Sequence, residues 1–266
     1  VPSATNTPPE PLPPAPVAIP EPPPFYADEL FDIVIRGGLV IDGSGKNRAR
    51  ADVVIRKDRI VHVGNVDARV RAAREISAAG SVVTPGFFDM HAHGGPLGDV
   101  EYALAQGITT LVLGQDGQSP GDHIGEWLSK VDVSRPRVNI ATLVGHVTVR
   151  AQSGAGMRKN PAVKELEKMQ KLVDRAMQEG AFGLSLGLEY DPGRSTEMRE
   201  LVALAKPVGT RGGVVMSHLR SEDDDRIEAS LDELFEQCRQ AKARAHVAHL
   251  KVVLGKGVDR ASRVLI

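Results

Sequence analysis

Four histidines and one aspartate stand where chemistry could be done. His91 and His93 are separated by one residue at the end of the apolar run VVTPGFFDMHAH. Side chains two apart on an extended strand point to the same side, their Cα atoms roughly 6.5–7 Å apart, so both imidazoles can reach one metal ion. His218 closes GGVVMSHLR, and His249 lies in RAHVAHLKVV, each after a β-branched run. Asp116, in LGQDGQS, adds a carboxylate at another strand end. Imidazole with carboxylate suits zinc or a similar borderline divalent ion. A carboxylate can bridge two ions about 3.5–4 Å apart. His146, at a strand end in LVGHVTVR, is read as a residue that contacts the substrate or supports a ligand from behind, and His62, His123 and His246 as structural or exposed.

Such a cluster needs elements that bring distant segments to one edge. From about residue 86 the sequence alternates strand with helix. The strands are FFDMHAH, ITTLVLG, RVNIATLVGH, AFGLSLGL, GGVVMSHLR and RAHVAHLKVV. Helical stretches lie between them, one of them opening at Asn160-Pro161 and closing at Gly180. Repeated β-α units argue for a parallel sheet with helical crossovers. In such a sheet the strands' C-terminal ends share one rim, where a (β/α) barrel keeps its chemistry. About six units are expected, as an open sheet or as part of a barrel.

Residues 29–85 read differently, as short strands and tight turns, with a hairpin turning at Lys57-Asp58. Residues 1–28 are a Pro-rich tether: the first 24 hold 11 of the 18 prolines. Such a tether is expected to be disordered and would fit an exported protein, periplasmic or extracellular, with a cytoplasmic location as the alternative. A net charge of −1 gives no electrostatic grip on nucleic acid, and no apolar run approaches the ~20 residues that span a bilayer. The single cysteine, Cys238, excludes an intrachain disulfide.

The segments DIVIRGGLVIDGSG, VVTPGFFDMHAH, GITTLVLGQDG, VGHVTVR, EGAFGLSLGLEYDPG, MSHLRSE and VAHLKVVLGKG, in that order, resemble the amidohydrolase superfamily, and within it the N-acyl-D-amino-acid deacylase (D-aminoacylase) group. The resemblance covers roughly residues 31–260. It implies a metal-dependent hydrolase with a TIM-type (β/α)8 barrel and a small N-terminal β-sandwich. The division would be 1–28 tether, 29–85 sandwich part and 86–266 partial barrel. It implies one or two zinc ions, or another divalent metal, with His91 and His93 at one site and His218 and His249 at the other. The family's bridging residue is typically a cysteine, where this chain has Asp116. Tyr190 and Lys251 match positions that contact the substrate carboxylate. The family's proton-transferring Asp would lie beyond Ile266, so the isolated 266 residues are expected to be inactive. The implied substrate is an N-acyl-D-amino acid or similar linear amide, cleaved to a carboxylate and a free amino acid. A cyclic-amidase or dihydroorotase-like enzyme and a catalytically inactive fragment are the alternatives.

Overall fold

A computed structural model describes residues 30–95, 100–253 and 259–264. The Pro-rich tether and the GKG of VAHLKVVLGKG lie outside the described residues. The chain divides into two compact units between Pro85 and Gly86.

The first unit carries one sheet of five strands: β1 (Leu30–Val40), β2 (Ala49–Arg56), β3 (Arg59–Gly64), β4 (Arg71–Ser77) and β5 (Val82–Val83). Their order is β3-β2-β1-β4, with β5 alongside β1. The expected hairpin forms at Lys57-Asp58, where β2 and β3 pair antiparallel and Lys57 takes φ 54°. Phe31, Val34, Val54 and Val70 pack together as the small core of this unit.

The second unit alternates strands with helices. Its strands are β6 (Phe87–Asp89), β7 (Ile108–Leu113), β8 (Asn139–Thr142), β9 (Val144–Gly145), β10 (Gly183–Gly187), β11 (Val214–His218) and β12 (Arg244–Val247). Its helices are α1 (Glu101–Ala105), α2 (Ile124–Ser134), α3 (His146–Ser153), α4 (Val163–Gln178), α5 (Met198–Thr210), α6 (Ile227–Ala241) and α7 (Arg260–Arg263). Every strand pair in this unit is parallel. One sheet runs β6-β7-β8 and the other β12-β11-β10-β9. Only Leu143 separates β8 from β9. Its N–H still donates to Leu113 of β7, while Val144 pairs with Leu184 of β10. One segment thus passes its pairing from one sheet to the other.

The helices cover the sheet with regular apolar faces. On α5, Leu201, Leu204, Ala205 and Val208 are buried, and on α6 Ile227, Leu231, Leu234 and Cys238 are. This is the i, i+4 row of an amphipathic helix. No described helix is long and apolar enough to cross a membrane.

Three local expectations are corrected. α4 is capped at Ala162, not Asn160: Ala162 N–H donates to the Glu165 carboxylate at 2.8 Å, so the third helical residue supplies the acceptor. The segment after Gly145 is helical from His146 on, where the sequence suggested only a strand end. The last strand stops at Val247, so His249 and Lys251 follow it on irregular chain.

Candidate metal centre

The C-terminal ends of β6, β7, β11 and β12 bring the candidate ligands together. β6 ends at Asp89, so His91 and His93 also lie past their strand and the period-two argument does not place them. A turn does: the His91 N–H donates to Asp89 Oδ1 at 3.1 Å, and Ala92 N–H to the Val112 carbonyl at 3.1 Å. Gln115 binds this turn to β7 by donating to the carbonyls of Met90 and Val112 at 3.1 and 2.7 Å.

Asp116 sits in a tight loop after β7 with φ 53°, a left-handed conformation that aspartate tolerates better than most residues. The start of α3 clamps that loop. Val147 N–H donates to the Gly117 carbonyl at 2.8 Å, and Gly145 N–H to Ser119 Oγ at 2.8 Å. Gly117 N–H donates to Ser185 Oγ of β10 at 3.1 Å. A Cβ on Gly145 would stand 2.3 Å from the Gly117 oxygen, so only glycine allows this approach.

The distances fall into two groups. His91 Nε2 and His93 Nε2 are 3.1 Å apart. They stand 3.7 and 3.2 Å from Oδ2 of Asp116. On the other side, His218 Nδ1 is 3.6 Å from Asp116 Oδ1 and 3.2 Å from His249 Nε2. Donor atoms bound tetrahedrally at 2.0–2.1 Å to one ion would lie about 3.3–3.4 Å from one another. The observed separations bracket that edge length. Asp116 turns Oδ2 to His91 and His93 and Oδ1 to His218, and its buried Oδ1 has no hydrogen-bond partner. The second group is shorter. His218 Nε2 is 2.7 Å from Glu189 Oε2, and His249 Nδ1 is 2.6 Å from Glu222 Oε1. The first is a hydrogen bond of the charge-assisted kind, the carboxylate–histidine arrangement that orients metal ligands from outside, while His249 Nδ1 and Glu222 Oε1 come close without hydrogen-bond alignment. Two trios lie close enough to share an ion, His91 with Asp116 and His249, and His218 with Glu222 and His249; in the second, 2.6 Å is too short for a coordination edge between His249 Nδ1 and Glu222 Oε1.

The electrostatics agree with this sorting. Burial pushes the His91 imidazole below its ordinary value and outweighs the pull of Asp116, which keeps its lone pair free. Burial acts the same way on His218, but Asp116, Glu189 and Glu222 around it outweigh burial and raise it. Burial would raise Asp116, and the histidines around it more than offset that, holding it below the usual carboxylate range. Sulfur takes no part: Cys238 is buried in α6, where burial pushes its thiol up to about 11. The donor set of nitrogen and carboxylate oxygen therefore fits a borderline divalent ion.

Tyr190 and Lys251 border this cluster. The Tyr190 hydroxyl is 3.4 Å from His218 Nδ1, and burial with the nearby carboxylates raises its pKa. The Lys251 ammonium donates to Glu222 Oε2 at 2.9 Å, which holds it in its charged form. His146 is placed elsewhere. It is fully buried with Nε2 2.8 Å from Glu200 Oε1, so it offers no surface to a substrate in this structure. Arg150 donates to both oxygens of the same carboxylate at 2.8 Å. Sequence reading missed Glu189, Glu200 and Glu222. Glu222 had a usable signal, four residues after His218 in SHLRSE.

No family model matches the chain. It is 34% identical over 251 residues to the N-acyl-D-glutamate deacylase of Alcaligenes xylosoxydans xylosoxydans, covering 85% of this chain and 51% of that protein. The crystal structure of N-acyl-D-glutamate deacylase from Bordetella bronchiseptica, complexed with zinc and a phosphonate inhibitor, superimposes with a TM-score of 0.72 at 31% identity. It covers 82% of this chain, which spans 51% of it. D-aminoacylase, described as defining a novel subset of amidohydrolases, gives a TM-score of 0.77 at 32% identity, over 89% of this chain and 55% of that one. Another structure of that enzyme addresses its binuclear metal center. The chain spans about half the length of the relatives it matches.

Proposed function

We propose that this chain, related in sequence and fold to the N-acyl-D-amino-acid deacylase group of amidohydrolases over about half their length, carries the metal-holding rim of a hydrolase for N-acyl-D-amino acids. The observation that carries this reading is the pair of donor sets sharing Asp116, with separations of 3.1–3.7 Å. His91, His93 and Asp116 Oδ2 would hold one zinc ion, and His218, His249 and Asp116 Oδ1 a second. In the finer fold reading, the parallel strands are part of a (β/α) barrel wall and the five-stranded sheet is part of a β-sandwich.

A divalent ion there supplies Lewis acidity toward an amide carbonyl and water activated at neutral pH. The protein's own groups do the rest. Lys251 and Tyr190, each about half exposed, would take the carboxylate of the N-acyl amino acid and so fix the amide over the rim. Binding the carboxylate at two points restricts the substrate to one approach, which contributes to rate through orientation. Glu189 holds His218 with Nε2 as donor, leaving Nδ1 inward.

The test is binding of N-acetyl-D-glutamate and N-acetyl-D-leucine to the zinc-loaded protein, read by calorimetry, with the L-enantiomers and a hydantoin as controls. D-selective binding is expected, lost on chelation and restored by zinc. Binding confined to cyclic amides such as hydantoins, or no D-selective binding, would overturn the reading.

A further inference from the structure

Glu222 has a side chain only 1% exposed, and its two oxygens face two different groups. Oε1 lies 2.6 Å from Nδ1 of His249. Oε2 accepts from the ammonium of Lys251 at 2.9 Å. A carboxylate this buried needs compensating partners. Neither Oε1 nor His249 Nδ1 makes any hydrogen bond as the structure stands. At 2.6 Å, with no other partner, the two need only realign to share a proton. That proton then sits on Nδ1 of His249, and the lone pair is left on Nε2, the atom 3.2 Å from His218 Nδ1.

We infer that Glu222 is a positioning residue that ties the candidate metal ligand His249 to the substrate-facing Lys251 through one buried carboxylate. The inference rests on the metal reading above and goes beyond it, because Glu222 touches neither an ion nor a substrate in that reading. One oxygen fixes the tautomer of His249, and the other anchors the ammonium at the edge of the rim. Carboxylates that orient ligating histidines typically contribute 10–100-fold in metal affinity.

The experiment is zinc titration of the full chain against a chromophoric chelator, for wild type, Glu222→Gln and Glu222→Asp. Long-range 1H–15N histidine spectra of the zinc-loaded proteins accompany it. Glu222→Gln should bind zinc about 10–100-fold more weakly, with Glu222→Asp between it and wild type. The His249 Nδ1–H signature should be present in wild type and lost in Glu222→Gln. A merely structural role would move neither the tautomer nor the affinity of a folded variant. If Glu222→Gln does not fold, Glu222→Asp decides, and wild-type affinity there overturns the inference. Wild-type affinity and tautomer in Glu222→Gln overturn the inference alone. A wild-type chain that binds no zinc overturns it together with the metal reading.

Discussion

Two of the charged clusters in the second unit, one around Glu200 and one on the rim, are built on opposite principles. In the one around Glu200, every close contact is a directed bond. Arg150 meets both carboxylate oxygens at 2.8 Å, His146 meets one at 2.8 Å, and Thr196 Oγ1 lies 3.2 Å from the guanidinium. The Arg150 guanidinium also donates to the Gly156 carbonyl at 3.0 Å. In the rim cluster, one carboxylate oxygen faces two imidazole nitrogens and imidazole faces imidazole, at 3.1–3.7 Å. The first is nearly complete in itself, with only His146 Nδ1 left unpartnered. The second makes sense around a cation. Proximity of charged side chains is thus no indicator of a functional site. The separation of the facing atoms, and what lies between them, decides which kind of cluster it is.

The largest expected effect breaks the self-contained cluster. Glu200→Gln leaves the fully buried Arg150 without its counter-charge and should cost about 3–5 kcal/mol in denaturant unfolding. Zinc bound per folded chain should stay as in wild type. Unchanged stability would mean that the pair is dispensable and the contrast between the clusters is wrong.

Next comes the ligand effect. Zinc at a hundred times its Kd should stabilise the wild-type chain by about 2.7 kcal/mol, seen as a shifted unfolding midpoint. Asp116→Ala removes the shared carboxylate and should abolish that shift. A full shift in Asp116→Ala would show that zinc stabilises through other residues.

Gly145→Ala sharpens the comparison, because it touches the loop of Asp116 from the side of α3. The added methyl meets the Gly117 oxygen at 2.3 Å, and forced overpacking of this kind costs about 1–3 kcal/mol. Zinc affinity should fall along with stability, in contrast to Glu200→Gln, where stability alone falls. Equal zinc titrations for Gly145→Ala and wild type would detach the loop from the rim.

The smallest effect is in pH. The folded His218 pKa is raised above the ordinary 6.5, so its contribution to metal-free stability is fully present below 6.5 and is lost as pH rises through the raised value. His91 is lowered, so its contribution is present above 6.5 and is lost as pH falls through the lowered value. Between them, the two predict a shallow maximum of metal-free stability near 6.5. Protons compete with the ion for both imidazoles, so the zinc increment should grow as pH rises across the same window. An increment that shrinks with rising pH would point to a different donor set.

Much of this was legible in the sequence, for reasons that also mark its limits. The parallel strand order followed from alternating β-branched runs and amphipathic helices, and it placed His91, His93, Asp116, His218 and His249 on one edge. The reason offered for His91 and His93 was inexact: they converge through a turn past β6 rather than through strand periodicity. α3 was missed because its eight residues, HVTVRAQS, are rich in β-branched types and too few for a helical period to stand out. Glu189, Glu200 and Glu222 were not read, since a lone glutamate in a sequence is most often solvated. Glu200 nevertheless shares its helix face with Leu204 and Val208 at i, i+4, i+8, and a charge on an apolar row requires a buried partner. His146 was grouped with the rim by its place after a strand, but a strand end fixes position along the sheet and does not fix which way the next helix turns its first side chain.

The central claim is that four histidines and Asp116 form a divalent metal centre. Equilibrium dialysis of the full chain against zinc, with metal content measured per folded protein, tests it most directly. The account predicts one to two zinc ions in wild type, the same number in Glu200→Gln, and loss in Asp116→Ala. Wild-type chain that retains no zinc above the buffer, or Asp116→Ala that retains as much as wild type, would contradict it.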